Sequence, residues 1–267
     1  MMPARLKVSV ITVCLNAVRE LPETLRSVRE QTYPLMESIV IDGGSEDGTL
    51  EYLQSLNPQP DVLISEPDHG IYDAMNKGIV AATGDYIIFM NAGDSFRHPS
   101  VLKDVFGDEF VVSQRPKIIS GRVQFSLKGE LLDLHRPRTV GQEGPGLPHQ
   151  ATFMAADLLK NNRFDTHYRF AGDYELWRRL KKQGLFLVHY IDRTVSVFSL
   201  GGVSTSAKND PMRYLERAFV DSRYAGRFSL WQMIVLAGKT VIRRMLYTMM
   251  PHRLYHILLR KSWIFRS

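Results

Sequence analysis

Four apolar runs in this chain each end on a side chain able to bind a polar ligand: Asn16, Asp42, Asp68 and the quartet Asn91-Ala92-Gly93-Asp94. Carboxylates and amides at such places suit a ligand that carries hydroxyls, an amide-like base and phosphates. Phosphates in turn attract a hard divalent cation, Mg2+ or Mn2+, which takes one or two carboxylates together with phosphate oxygens. A second cluster lies in Phe170-Ala-Gly-Asp-Tyr-Glu-Leu-Trp-Arg-Arg-Leu180. Its acids, Asp173 and Glu175, are two residues apart and point different ways on a helix, so only one faces a common substrate.

The elements that must position these groups alternate. Arg5 and Lys7 before the run Val8 to Leu15 mimic a secretory leader, but the run is short, carries Ser9 and Thr12, and lacks a small-residue cleavage site. It reads as a buried first strand. Leu21, Leu25 and Val28 predict a helix over Leu21 to Gln31. Strands follow at Ser38 to Ile41, Val62 to Ser65 and Tyr86 to Met90, and helices at Thr49 to Leu56 and Ile71 to Ala82. Such alternation implies βαβ units and a mainly parallel sheet, with ligands beyond the carboxyl ends of the strands. After Phe96 the pattern changes to antiparallel strands at Lys117 to Ser120, Val123 to Leu127 and Glu130 to Leu134, with a turn at Lys128-Gly129. A Gly/Pro loop spans Gly141 to Pro148, helices cover Ala155 to Asn161 and Asp173 to Gln183, and Phe186 to Phe198 is extended.

Of the 267 residues, 44% are hydrophobic and 23% charged, values that disfavour disorder and a polytopic membrane protein. The lone Cys14 excludes an intrachain disulfide and fits a reducing compartment. The net charge of +6 is unevenly placed: residues 222–267 carry nine cations and no acid, which leaves −3 for residues 1–221.

Taken together, Val8 to Asn16, Ile39 to Thr49 and Gly84 to Asp94 resemble the nucleotide-sugar half of a family 2 glycosyltransferase with the GT-A fold. The stretch Glu66 to Gly78, EPDHGIYDAMNKG, is similar to the colanic-acid-type branch of bacterial exopolysaccharide assembly. The likeness is strong over about residues 6–100 and patchier to about 206. It implies an α/β, Rossmann-like, mainly parallel sheet flanked by helices, with residues 1–98 as the nucleotide-sugar half and 99–221 as the acceptor half. It also implies a UDP- or GDP-sugar donor, a divalent cation and inversion at the transferred sugar.

Placed on this chain, the resemblance puts Asp42 at the base, with Thr12, Cys14 and Asn16 lining the same pocket. Asp68, Asp73, Asn76, Lys77, Asn91 and Ala92 line the rest of the donor site, and Lys77 is either a diphosphate partner or a solvated helix lysine. Asn91 and Gly93 stand where the Asp-x-Asp motif has other residues, leaving Asp94 as the metal ligand. Gly43 replaces the second Asp of the usual Asp-Asp-Gly-Ser. Asp173 takes the place of the general base, and His149, Gln150 and Glu175 fall on the acceptor side. Competing structural roles are simple: Asp42, Asp94 and Asp173 are also good caps or turn residues. Gly201 to Ser204 is either a lid or a turn.

The tail, residues 222–267, mixes its cations with Trp231, Trp263 and Phe265 but has no long uninterrupted apolar run. It reads as an amphipathic helical segment at an anionic membrane surface, the alternative being that its apolar side packs on the body or on another subunit. The expected protein is therefore peripheral at the cytoplasmic face of the plasma membrane, with a lipid-linked glycan acceptor and no nucleic-acid partner. The alternatives are a sugar nucleotidyltransferase, which would want a basic Gly-rich loop in place of Asn16-Ala17-Val18-Arg19, and a nucleic-acid binder using the tail.

Overall fold

The computed structural model describes residues 6–127, 130–132, 147–200 and 210–225, together with Gly238. Strand β1 (Val8–Cys14) is buried at every position because layers cover both of its faces. It is followed by α1 (Leu21–Arg29), β2 (Met36–Asp42), α2 (Thr49–Ser55), β3 (Val62–Ser65), α3 (Ile71–Ala81) and β4 (Tyr86–Phe89). The four strands are parallel in the order β3-β2-β1-β4. Their carboxyl ends share one rim, where Cys14 lies opposite Asp42 and Asp42 opposite Ser65.

The same sheet continues through the second half of the chain. Its elements are β5 (Asp94–Phe96), α4 (Val101–Phe106), α5 (Glu109–Gln114), β6 (Ile118–Leu127), β7 (Glu130–Leu132), β8 (Thr152–Ala155), α6 (Ala156–Asn161), α7 (Gly172–Lys182), β9 (Val188–Leu200) and α8 (Asp210–Ala225). Beyond β4 the order is β8-β6-β9-β5, with β7 on β6. Strand β8 is antiparallel to both β4 and β6, β9 is parallel to β6, and β5 is antiparallel to β9. One apolar core draws on both halves, with Ile11, Ile39, Ile88, Phe153 and Leu176 all buried in it. Phe106 joins the layers, its ring 5.3 Å from that of Tyr86 and 5.2 Å from that of Phe153.

The expected α/β architecture is present, and the first four strands fall where the alternation puts them. The second half differs in detail. Strand β6 runs unbroken through Gly121 and Arg122, because register shifts against β9 around Arg122 absorb what looks like a break between two strands. Its β7 neighbour is antiparallel as expected, but β9 is parallel to it, a long-range pairing that local pattern does not encode. Elements of three to six residues (β5, β8, α4 and α5) are too short to show a period. Helix α8 crosses residue 221, where the tail was expected to begin. The Lys128-Gly129 turn, most of the Gly/Pro loop, Gly201 to Ser204 and nearly all of the tail lie outside the described residues. Among the described residues no helix is long and apolar enough to cross a membrane.

At the rim opposite the strands' carboxyl ends, Glu37 ties the sheet together. Its carboxylate accepts from Lys7 Nζ (2.6 Å), Ser9 Oγ (2.5 Å), the Thr83 amide (2.7 Å) and hydroxyl (2.6 Å), and the Gly84 amide (3.1 Å). Burial opposes the charge, but the hydrogen bonds from Lys7, Ser9 and Thr83 outweigh it and lower the pKa from 4.5 to about 2. A folded-state value below the unfolded one stabilises the fold fully above about pH 4.5, and this contribution fades as the pH falls towards 2. Its size is on the order of 3 kcal/mol. Glu37→Gln should therefore remove much of the pH dependence of unfolding free energy across that window, measured by urea titrations at stepped pH. An unaltered pH profile would place the acid sensitivity elsewhere.

Candidate active site

The donor-side rim is built from a loop folded back on β1. Asn16 takes a positive φ of 49° as the chain leaves the strand. Its amide donates to Ser45 Oγ (2.8 Å), and its side-chain oxygen accepts from the Glu46 amide (2.9 Å). Ala17 and Val18 donate to Thr49 Oγ1 (2.9 Å) and Asp47 Oδ2 (3.2 Å), so residues 45–49 are fastened along this turn. Asp42 is the hub beneath: its carboxylate accepts from the Ser45 hydroxyl and amide and from Ser65 Oγ.

This geometry places three of the expected pocket residues inside the fold. Asp42 has no exposed surface, and its carboxylate shapes the loop through Ser45 and Ser65. Thr12 lies wholly inside β1, its hydroxyl without a partner. Cys14 is buried with its sulfur 3.8 Å from Asp42 Oδ1, and burial together with the Asp42 charge pushes the thiol up to about 12. The surfaces left for a ligand are Asn16, the exposed Leu15 and the partly exposed Asp68. Asp68 depends on Gly43, because a Cβ at residue 43 would lie 2.3 Å from Asp68 Oδ2. The glycine that replaces an expected acid thus makes room for another acid arriving from the end of β3.

Helix α3 carries three expected donor-site residues that the structure gives local work. Asn76 makes two hydrogen bonds with the backbone of Phe164 (2.9 and 3.0 Å). Lys77 reaches Glu66 (2.8 Å) and the Pro67 carbonyl (2.9 Å), and Asp73 accepts from the His69 amide (3.1 Å). These contacts shape the Glu66 to Gly78 segment and fix α3 to the strand of chain before α7.

The two halves meet at Tyr72. Its ring packs against that of Phe164 (5.2 Å), and its hydroxyl donates to Asp173 Oδ1 across 3.3 Å. Gly172 permits this approach: a Cβ there would lie 2.7 Å from two Tyr72 ring carbons. Asp173, in the first turn of α7, also accepts from the Tyr174 amide (2.7 Å). On its other side, Oδ2 lies 3.7 Å from His149 Nδ1. His149 continues the chain of contacts, with Nε2 accepting from Asn91 Nδ2 at 3.3 Å. Gln150 is buried in the same 3-10 turn, and Ala92 is pinned by its amide to the Val13 carbonyl (3.1 Å).

The electrostatics separate the three ionisable groups. Burial opposes charge on Asp173, yet His149, Arg217 and the Tyr174 amide hold its carboxyl below the ordinary range. Burial likewise opposes an imidazolium at His149, but Asp173 and Asp94 raise its pKa. Asp94 is 5% exposed, and burial lifts it to about 7 against the opposing influence of His149. Among the described residues no hydrogen bond to the Asp94 carboxylate is present, and the buried Asn91 Oδ1 has no partner. Glu175 stands apart from this constellation. It is buried against Arg179 (3.0 Å) and the Tyr224 hydroxyl (2.5 Å), facing α8 instead of an acceptor. The role of Tyr72 is absent from a linear reading because its partner lies 101 residues away. The unusual glycine before Asp173 was the available signal.

A parallel sheet with polar loops at its carboxyl rim, joined to a second half that presents a partly buried Asp, is an architecture shared with solved GT-A structures. Residues 9–162 match the domain described as glycosyl transferase family 2, and the chain belongs to that family. The assignment sets aside the nucleotidyltransferase alternative. An uncharacterised glycosyltransferase of Mycobacterium tuberculosis is 37% identical over 186 residues, covering 63% of this chain and 66% of that protein, just under two thirds of its length. A PGL/p-HBAD biosynthesis glycosyltransferase of Mycobacterium bovis is 28% identical over 74% of this chain and 79% of its own. Among solved structures, Staphylococcus aureus TarS residues 1–349 with UDP-GlcNAc has a TM-score of 0.65 at 18% identity, covering 80% of this chain and 65% of that one. The mannosyltransferase PcManGT of Pyrobaculum calidifontis, in complex with GDP-Man and Mn2+, scores 0.66 at 15% identity over 96% and 79%.

Gly172→Ala should force the Tyr72 ring aside, cost about 1–3 kcal/mol of stability and displace Asp173. Tyr72→Phe should keep the packing, with a melting temperature near that of the parent, but lower kcat more than it changes KM. Equal activity in Tyr72→Phe and the parent would show that the hydroxyl does not orient Asp173.

Proposed function

We propose that this protein transfers a hexose, with inversion, from a UDP- or GDP-sugar to a lipid-linked glycan acceptor during assembly of a bacterial surface polysaccharide. The observation that carries the reading is Asp173, partly buried at the junction of the halves, below its ordinary pKa range and opposite the Asn91-to-Asp94 turn. An ionised carboxylate in this position accepts the proton of an acceptor hydroxyl as its oxygen forms a bond to the anomeric carbon. The bond from that carbon to the diphosphate breaks in the same displacement, and the proton stays on Asp173. A single displacement inverts the sugar. The names of relatives support the context: PGL/p-HBAD biosynthesis, and a putative teichuronic acid biosynthesis glycosyltransferase of Bacillus subtilis, 33% identical over 101 residues. The Glu66 to Gly78 segment supports the exopolysaccharide branch.

A divalent cation fits the Asn91-to-Asp94 turn in one respect: among the described residues, the turn offers a buried carboxylate that no hydrogen bond reaches and a buried amide oxygen without a partner. Among the described residues no group of three or more His, Cys, Asp or Glu side chains is placed to bind a metal, so the remaining oxygens would come from the diphosphate. Bound there by Asp94 and Asn91, Mg2+ or Mn2+ would neutralise charge developing on the departing diphosphate. His149 and Tyr72 keep Asp173 oriented, and the loop at 45–49 frames the nucleotide side. The nine cations of residues 222–267, with aromatics that include Trp231, Trp263 and Phe265, support association with an anionic membrane at the cytoplasmic face.

A screen of nucleotide sugars with and without Mn2+, read by thermal shift and by slow donor hydrolysis, tests the class and identifies the donor. Asp94→Ala should abolish the metal-dependent part of UDP or GDP stabilisation. Asp173→Asn should retain nucleotide binding while losing about 10²–10⁴-fold in transfer; full transfer by that variant would remove Asp173 from the mechanism.

A further inference from the structure

Helix α8 has two unlike faces. Its inner face is spent on α7 and the chain before it: Tyr174 and Val220 share a small apolar cluster with Ala171, and Tyr224 packs beside them. Glu216 accepts from the consecutive amides of Arg169, Phe170 and Ala171 (2.7–2.9 Å), and Asp221 accepts from the Tyr174 hydroxyl (2.7 Å) and pairs with Arg178 (3.2 Å). These contacts turn two acids of the helix inward. On the opposite side Met212, Leu215 and Phe219, spaced three and four residues apart, form one stripe and are 54%, 40% and 60% exposed. Arg223, also exposed, lies at the end of the same stripe.

We propose that this stripe is a lipid-docking face of the enzyme body, seated on the headgroup and acyl boundary of an anionic bilayer. The inference rests on the membrane reading above and extends it from the tail to a defined surface. Charge favours this occupant: α8 is continuous with 42 residues, 226–267, that add eight cations and no acid. A second copy of the chain is a poorer match, because three partly exposed side chains fall well short of the ~800 Å² per partner of a standard interface. The helix so seated is the one that fastens residues 169–171, so the base-bearing end of α7 stands close to the lipid surface from which a lipid-linked acceptor would come.

The test uses the full-length protein with vesicles of phosphatidylglycerol and phosphatidylcholine, or of phosphatidylcholine alone. Triple substitution Met212→Ser, Leu215→Ser and Phe219→Ser should weaken sedimentation with the anionic vesicles by about tenfold or more. It should leave the melting temperature, oligomeric state and nucleotide binding as in the parent. In a second measurement, Phe219→Cys carrying a polarity-sensitive fluorophore should shift to the blue on anionic vesicles and stay unshifted on neutral ones. Parent-like vesicle binding by the triple variant, or no spectral shift at residue 219, overturns the docking face while leaving tail-driven binding intact. A lower melting temperature or altered oligomeric state in the triple variant also overturns it, by showing that protein covers the stripe. Failure of the parent to bind anionic vesicles removes the membrane reading together with this face, and leaves the transfer reading standing.

Discussion

The approach of Tyr72 to Gly172 is the constraint on which the active arrangement depends. The nucleotide-side strands deliver α3 to the carboxyl rim, and the second half delivers α7, but neither by itself places an acid beside the Asn91-to-Asp94 turn. The ring can reach the α7 backbone only because residue 172 has no side chain. Its hydroxyl then meets Asp173, while Asn76 secures the neighbouring backbone at Phe164. A partly buried carboxylate without donors would drift towards its neutral form. The Tyr174 amide, His149 and Arg217 keep Asp173 charged, so position and protonation are fixed by the same packing.

The two polar hubs of the sheet do different work. Glu37 receives five donors at the far rim, locks β1, β2 and the α3–β4 turn, and leaves no capacity for a ligand. Asp42 does the same for the loop at the near rim, taking Ser45 and Ser65. By contrast, the Asp94 carboxylate lacks hydrogen bonds among the described residues and is held near neutrality by burial. The difference is that between an acid whose charge is already compensated by the fold and one whose charge awaits a partner. All three acids sit on strands, so the contrast lies in their hydrogen-bond partners and not in their place in the sheet.

Much of the first half was legible in the sequence. Apolar runs alternating with helical periods fixed β1 to β4, and the polar residue closing each run marked the rim. Burial was less legible: Asp42, Thr12 and Cys14 close or occupy strands whose ends look open in one dimension, yet all three side chains are buried. The second half was read less well because its order comes from distant pairings, β6 with β9 and β4 with β8, and from elements shorter than a period. Asp173 was identifiable by its motif, whereas the alignment of Tyr72, His149 and Asn91 around it required the folded chain. Glu175, two residues away, was resolved by the turn of α7, which faces it to Arg179 and Tyr224.

Glu216 has a consequence for the order of events in the making of the protein. Three consecutive amides that lead into α7 find their acceptor 45–47 residues further along the chain. At a synthesis rate of roughly 5–20 residues per second, that acceptor is made about 2–9 s after the segment it secures. The sheet and the nucleotide-side rim can be complete while the entry to α7 is still untethered. The nascent chain therefore completes its parallel half first and fastens the entry to α7 last.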